Sequence, residues 1–154
     1  MSNDILTFRR AATALTLAGA LPFIGLVPAM AALEPPTNLT ASFWLMVYAT
    51  VILSFLGGIR WGLALSNPEA GWTPLAISVL PALAGWVIVP YAILIQQVPS
   101  PAWFLAYAVF FALHLGWDWL SGSVPSWFKT LRMTVSVIVI ASLVSAWGIR
   151  QFMA

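Results

Sequence analysis

The chain has 154 residues, of which 62% are hydrophobic and 6% are charged, and its formal net charge is +2 at pH 7. A soluble domain carries about 25% charged residues, so this composition, with a mean hydropathy of +0.97, excludes a soluble fold and indicates a membrane protein. The absence of cysteine excludes disulfides, thiolate catalysis and cysteine-based metal sites. The six basic residues form no stripe, which argues against nucleic-acid binding.

The first predicted span covers about residues 11–33 and follows the pair Arg9-Arg10. A basic start, an apolar run and Ala29-Met30-Ala31 are also typical of a cleaved signal peptide. The apolar run exceeds the about 7–15 residues of a signal peptide and contains two prolines. We therefore predict that this segment is retained as a span, whereas cleavage would leave four spans.

Four further apolar segments follow, at about residues 41–63, 73–95, 101–120 and 131–149. Each is close to the roughly 20 residues that cross a bilayer as a helix, and the links between them are rich in Pro, Ser and Asn, which end helices. No Asp, Glu, Lys or Arg occurs between Ala70 and Leu113, a stretch long enough to cross twice. Lipid offers no hydrogen-bond partners for the backbone groups of an open strand edge, so membrane-spanning segments of this kind are helical. We therefore predict an all-α bundle of five transmembrane helices that forms one domain, residues 1–154.

The basic residues predict the orientation of these spans, because Lys and Arg in short loops stay on the cytoplasmic side. With the N-terminus inside, Arg150 alone falls outside. The other five fall inside: Arg9, Arg10, Arg60, Lys129 and Arg132. We expect a multi-pass protein of the bacterial inner membrane with its N-terminus inside and its C-terminus outside.

Small residues recur in the second span, where Ser54, Gly58 and Gly62 are spaced by four and Gly57 widens the small surface. Such a stripe lets another helix backbone approach closely. We predict that it packs against another span of the same chain, with a homodimer seam as the alternative.

Four polar side chains fall at the predicted inner end of the bundle: Arg60, His114, Asp118 and Arg132. His114 and Asp118 are four residues apart and share a helix face. A carboxylate near hydrocarbon is costly unless it is paired, so we predict a clasp in which Asp118 pairs with the arginines. Two alternatives remain: a site for anionic lipid headgroups at Arg60 and Arg132, and a proton relay through His114 and Asp118.

The sequence predicts no metal or cofactor site, since the chain has one His, four acidic residues and no Cys. Most of its nine tryptophans fall near the ends of the predicted spans, as an aromatic belt does. Trp86 is the exception, in the middle of the third span, and we interpret it as a packing residue.

The segments SFLGGIRWGLAL, HLGWDW and PSWFKTLR lie in the second span, at the end of the fourth and at the start of the fifth. Together they resemble a bacterial and mitochondrial family of small inner-membrane proteins of unknown function, which includes transmembrane protein 69. The resemblance covers nearly the whole chain. It implies location and architecture, and it implies no activity.

These observations predict a non-enzymatic protein that acts by contact, as an accessory or assembly partner of a larger membrane complex. An enzyme is not predicted, because no nucleophile–base pair or metal set is recognisable. Two alternatives are a small oligomeric transporter or channel subunit and a module that binds anionic lipid. The expected partners are membrane lipids, including anionic headgroups, and that complex.

Overall fold

The computed structural model describes residues 2–67, 69, 71–120, 122 and 124–153. Parts of the links after the second and fourth predicted spans, at residues 68, 70, 121 and 123, lie outside the described residues. The described chain forms six α-helices: α1 (Ser2–Ala18), α2 (Leu21–Ala32), α3 (Thr37–Leu65), α4 (Thr73–Pro90), α5 (Pro101–Leu120) and α6 (Ser126–Met153). A π-helical turn, Tyr91–Gln96, extends α4.

Among the described residues, five helical stretches are long and apolar enough to cross a membrane: Asn3–Ala32, Thr37–Leu65, Thr73–Gln96, Pro101–Leu120 and Ser126–Phe152. The prediction of an all-α chain with five membrane-length helices is therefore confirmed. Three of the helices begin earlier than predicted, because backbone hydrogen bonds continue the helix through polar residues that hydropathy assigns to a loop.

The first of these stretches is broken into α1 and α2 at residues 19–20. Pro22, in the first turn of α2, has no N–H to continue the hydrogen bonds of α1. The break frees the carbonyl group of Gly19, and the Tyr48 hydroxyl of α3 donates to its oxygen at 2.9 Å. The side chain of Phe23 then packs edge-on against Tyr48 and Phe111, with ring centroids 5.2 and 5.8 Å apart.

The close approach of α3 and α4 occurs at Gly57 and Gly85. A Cβ atom at Gly57 would collide with the carbonyl oxygen of Ser78, and one at Gly85 would collide with the methyl group of Thr50. These contacts make α4 pack mainly against α3. The two backbones can approach this closely because neither glycine has a side chain.

The predicted packing stripe is wrong in its register. Gly58 and Gly62 are exposed, and a Cβ atom at either would meet nothing within 4 Å. Ser54 is half-buried and donates its hydroxyl to the Thr50 carbonyl oxygen at 2.8 Å. The buried face of α3 instead runs through Leu53, Leu56, Gly57 and Arg60, so of the predicted packing glycines only Gly57 makes the close contact.

Trp86 is 71% exposed, so its interpretation as a packing residue within the chain is also wrong. The buried face of α4 consists of small or compact side chains: Ser78, Pro81, Gly85 and Ile88. Trp86 follows Gly85 directly and is therefore turned about 100° away from the contact with α3.

Candidate functional site

The site lies where α3 and α5 end and α6 begins, which we call the charged end of the bundle. Asp118, in the last turn of α5, accepts hydrogen bonds from two arginines. Arg60 of α3 pairs with Oδ1 through its Nη2 atom. Arg132 of α6 donates from Nε and Nη2 to Oδ2, at 2.8 and 2.6 Å. We call these three residues the Asp118 triad, and it ties α3, α5 and α6 together.

The triad is removed from solvent within the chain, since the side chains of Arg60, Asp118 and Arg132 are 5%, 11% and 13% exposed. A carboxylate in the last turn of a helix faces the negative end of the helix dipole. Its position is therefore favourable only because both of its oxygens are paired. Two guanidinium groups surround one carboxylate, so the triad retains one net positive charge.

Arg60 is held by an aromatic ring as well as by its ion pair. Its guanidinium carbon lies 4.8 Å from the centroid of the Trp117 ring, a distance at which cation–π attraction is significant. Sequence reasoning assigned Trp117 to the aromatic belt and missed this contact. No sequence spacing indicates it, because it depends on how α3 and α5 are rotated toward each other.

His114 lies beside the triad without joining it. The side chain is buried, and its ring is 6.0 Å from the Trp117 ring. Its Nδ1 atom is buried and has no hydrogen-bond partner in the described part of the chain. The structure thus brings together three of the four predicted polar residues and leaves His114 unconnected to Asp118 by a hydrogen bond.

Two neighbouring cavities open beside Arg132. The first, of about 220 Å³, lies among α1, α2, α3, α5 and α6 and has mostly apolar walls. The second, of about 170 Å³, adjoins Asp118. They share four lining residues, Leu56, Ile59, Phe128 and Arg132, and together we call them the Arg132 cleft.

The described residues contain no group of three or more His, Cys, Asp or Glu side chains that could hold a metal ion. Asp118 is the only carboxylate in the triad, and both of its oxygens already accept from arginines. The chemistry open to this site is therefore ion pairing and hydrogen-bond donation toward an anion.

Comparison with known proteins places the chain in a family. The family model described as "Protein of unknown function (DUF3429)" matches residues 8–148. Transmembrane protein 69 of Xenopus tropicalis is 33% identical over 135 residues, which are 86% of this chain and 51% of that protein. Transmembrane protein 69 of Mus musculus is 31% identical over 133 residues, 84% of this chain and 52% of that protein.

The chain spans about half the length of the curated relatives that it matches. No solved structure gives a significant match. The family resemblance predicted from the three sequence segments is confirmed by these matches. The chain is a transmembrane protein that belongs to the DUF3429 family of proteins of unknown function.

Proposed function

We propose that this chain is a non-enzymatic protein of the bacterial inner membrane that acts by contact, as an accessory subunit of a larger membrane complex. The N-terminus lies in the cytoplasm and the C-terminus outside. The concentration of basic residues at the charged end supports this orientation. The site supports a role in binding, because the triad offers charge and hydrogen bonds and its carboxylate is already paired.

The observation that carries this proposal is Trp86, exposed at mid-membrane depth in the third membrane-length helix. Tryptophan prefers the membrane interface, where its indole N–H finds an acceptor. Trp103 follows this rule, since its Nε1 donates to Gln96 Oε1 at 2.7 Å. Hydrocarbon chains offer Trp86 no acceptor.

Pro90 also leaves one backbone carbonyl group of α4 without its usual hydrogen-bond donor. Pro90 is exposed and, lacking an N–H, cannot bond to the carbonyl oxygen of Trp86 four residues earlier. The next N–H, of Tyr91, bonds to the carbonyls of Val87 and Ile88. The indole N–H and this carbonyl oxygen belong to one residue near the middle of the span, where an unpaired polar group costs several kcal/mol.

The occupant that best satisfies this face is a transmembrane helix of a different membrane protein, with a polar side chain opposite the indole. The neighbouring exposed side chains of α4 are apolar, including Leu83 and Val87. A second copy packed through a two-fold contact would therefore offer the indole only the backbone carbonyl oxygen of Trp86 and no side-chain acceptor. An interhelical hydrogen bond of this kind contributes about 1–2 kcal/mol.

The test is photo-crosslinking in the native membrane. A benzophenone amino acid at Leu83, 54% exposed on the Trp86 face, is compared with one at Val109, 57% exposed on α5. We expect Leu83 to crosslink to a transmembrane helix of another integral protein, whose sequenced adduct has a polar residue within one turn, and Val109 to crosslink to lipid.

Trp86→Phe removes the indole N–H and keeps an aromatic ring, so it should reduce the Leu83 adduct. Adducts with lipid alone, or with a second copy of this chain, would refute the accessory role. An adduct that Trp86→Phe leaves unchanged would refute the hydrogen-bond argument for this face.

A further inference from the structure

The Arg132 cleft is apolar along most of its length. Its larger cavity is lined by side chains such as Leu15, Phe23, Ile52, Phe111 and Val139. Its volume of about 220 Å³ far exceeds the about 10–15 Å³ that a single water molecule needs, and cavities with such walls remain dry and accept apolar guests. Within a bilayer, the abundant apolar guest at this depth is an acyl chain.

The cleft has a polar end and an apolar end, in the order that a membrane amphiphile requires. Arg132 is in the second turn of α6, at the charged end, and Val139 is two turns further toward the middle of the bundle. On α3, which runs the opposite way, Ile59 lies nearer the charged end than Ile52. A lipid in the leaflet also has its polar group at the surface and its tail toward the middle.

Ser136 provides a second polar group inside the cleft. The residue is 5% exposed and lines the larger cavity, and its side-chain hydroxyl makes no hydrogen bond within the described part of the chain. Two other α6 hydroxyls, of Thr134 and Ser145, donate to the carbonyl oxygen four residues earlier, at 3.1 and 2.9 Å. The Ser136 hydroxyl, one turn from Arg132, is therefore available to a guest.

Charge indicates the kind of polar group that fits. Arg132 uses Nε and Nη2 on Asp118, which leaves its Nη1 donors for another acceptor, and the triad keeps one net positive charge. An anion beside Arg132 would neutralise that charge and accept a hydrogen bond from the Ser136 hydroxyl. Guanidinium groups bind both carboxylates and phosphates in this way.

We propose that the Arg132 cleft binds one anionic amphiphile, with its acyl chain in the larger cavity and its carboxylate or phosphate against Arg132 and Ser136. This site is separate from the Trp86 face and does not depend on the accessory role. A free fatty acid and an anionic phospholipid share the required chemistry.

The test is native mass spectrometry of the full chain in a neutral maltoside detergent. Oleate, phosphatidylglycerol and zwitterionic phosphatidylcholine are titrated separately. We expect one molecule of oleate or phosphatidylglycerol per chain, bound more tightly than phosphatidylcholine. Saturation by phosphatidylglycerol alone would identify the source as phospholipid, saturation by oleate alone would identify fatty acid, and saturation by both would support the shared chemistry.

Ser136→Leu fills the cleft and removes its hydroxyl without changing the triad, and Thr134→Leu is the matched control on the exposed side of the same helix. We expect Ser136→Leu to weaken anion binding about tenfold, which corresponds to the loss of about 1.4 kcal/mol, and Thr134→Leu to leave it unchanged. Equal binding of phosphatidylcholine, no bound amphiphile, or unchanged binding in Ser136→Leu would overturn the proposal. Circular dichroism of each variant verifies that it is folded.

Discussion

Removal of Asp118 should destabilise the protein more than removal of either arginine that binds it. Asp118→Ala leaves the buried guanidinium of Arg60 and the part-buried guanidinium of Arg132 without a counter-ion, and stranding buried charge costs about 3–5 kcal/mol. Arg60→Ala leaves Asp118 still paired with Arg132, so it should cost about 1.5–3 kcal/mol, as expected for one hydrogen bond to a charged group. The asymmetry follows directly from the two-to-one arrangement of the triad.

The free energy of unfolding can be measured by SDS titration in a fixed detergent and lipid mixture, in a double-mutant cycle of Arg60→Ala and Asp118→Ala. The double variant should cost less than the sum of the two, with a coupling energy of about 0.5–3 kcal/mol. Arg60→Lys should recover only part of the stability, because it keeps the charge and loses the planar group over Trp117. Strict additivity, or an Arg60→Ala cost equal to that of Asp118→Ala, would refute the triad as the source of stability.

Three further outcomes follow from the fold and its orientation. A reporter that is active only after export should be active when fused after Ala154 and inactive at the N-terminus; the reverse pattern would contradict the proposed orientation. Gly57→Ala should lower the unfolding free energy by about 1–3 kcal/mol through overpacking, and Gly58→Ala should leave it nearly unchanged, so equal effects would contradict the observed register. Trp86→Ala should barely change the unfolding free energy of the purified chain, whereas Phe111→Ala, which removes a ring buried in the core, should lower it by about 3–5 kcal/mol. A larger loss from Trp86→Ala than from Phe111→Ala would show that the exposed ring packs within the chain.

The sequence predicts well which residues lie at the same end of the bundle, and it predicts the rotation of each helix about its axis poorly. Hydropathy and helix length place Arg60, Asp118 and Arg132 at one end of three spans, and the cost of an unpaired charge in lipid makes their pairing predictable. The choice between Gly57 and Gly58 is a rotation of about 100°, and both faces of a membrane helix are apolar. Hydrophobic periodicity therefore cannot reveal which glycine faces α4. For the same reason it cannot reveal whether Trp86 faces another helix of this chain or the surface of the bundle.

The cleft and the triad depend on one another through charge. A single arginine beside Asp118 would form a neutral pair, with no electrostatic preference for an anion over a zwitterion. Arg60 occupies one carboxylate oxygen from the side of α3, held there by Trp117, and Arg132 reaches the other oxygen from the cleft. Since two cations share one carboxylate, one positive charge remains, and Arg132 presents it to the cleft. Arg60 should therefore support anion binding without lining the cleft, and Arg60→Gln should reduce the preference for phosphatidylglycerol over phosphatidylcholine even in protein that remains folded.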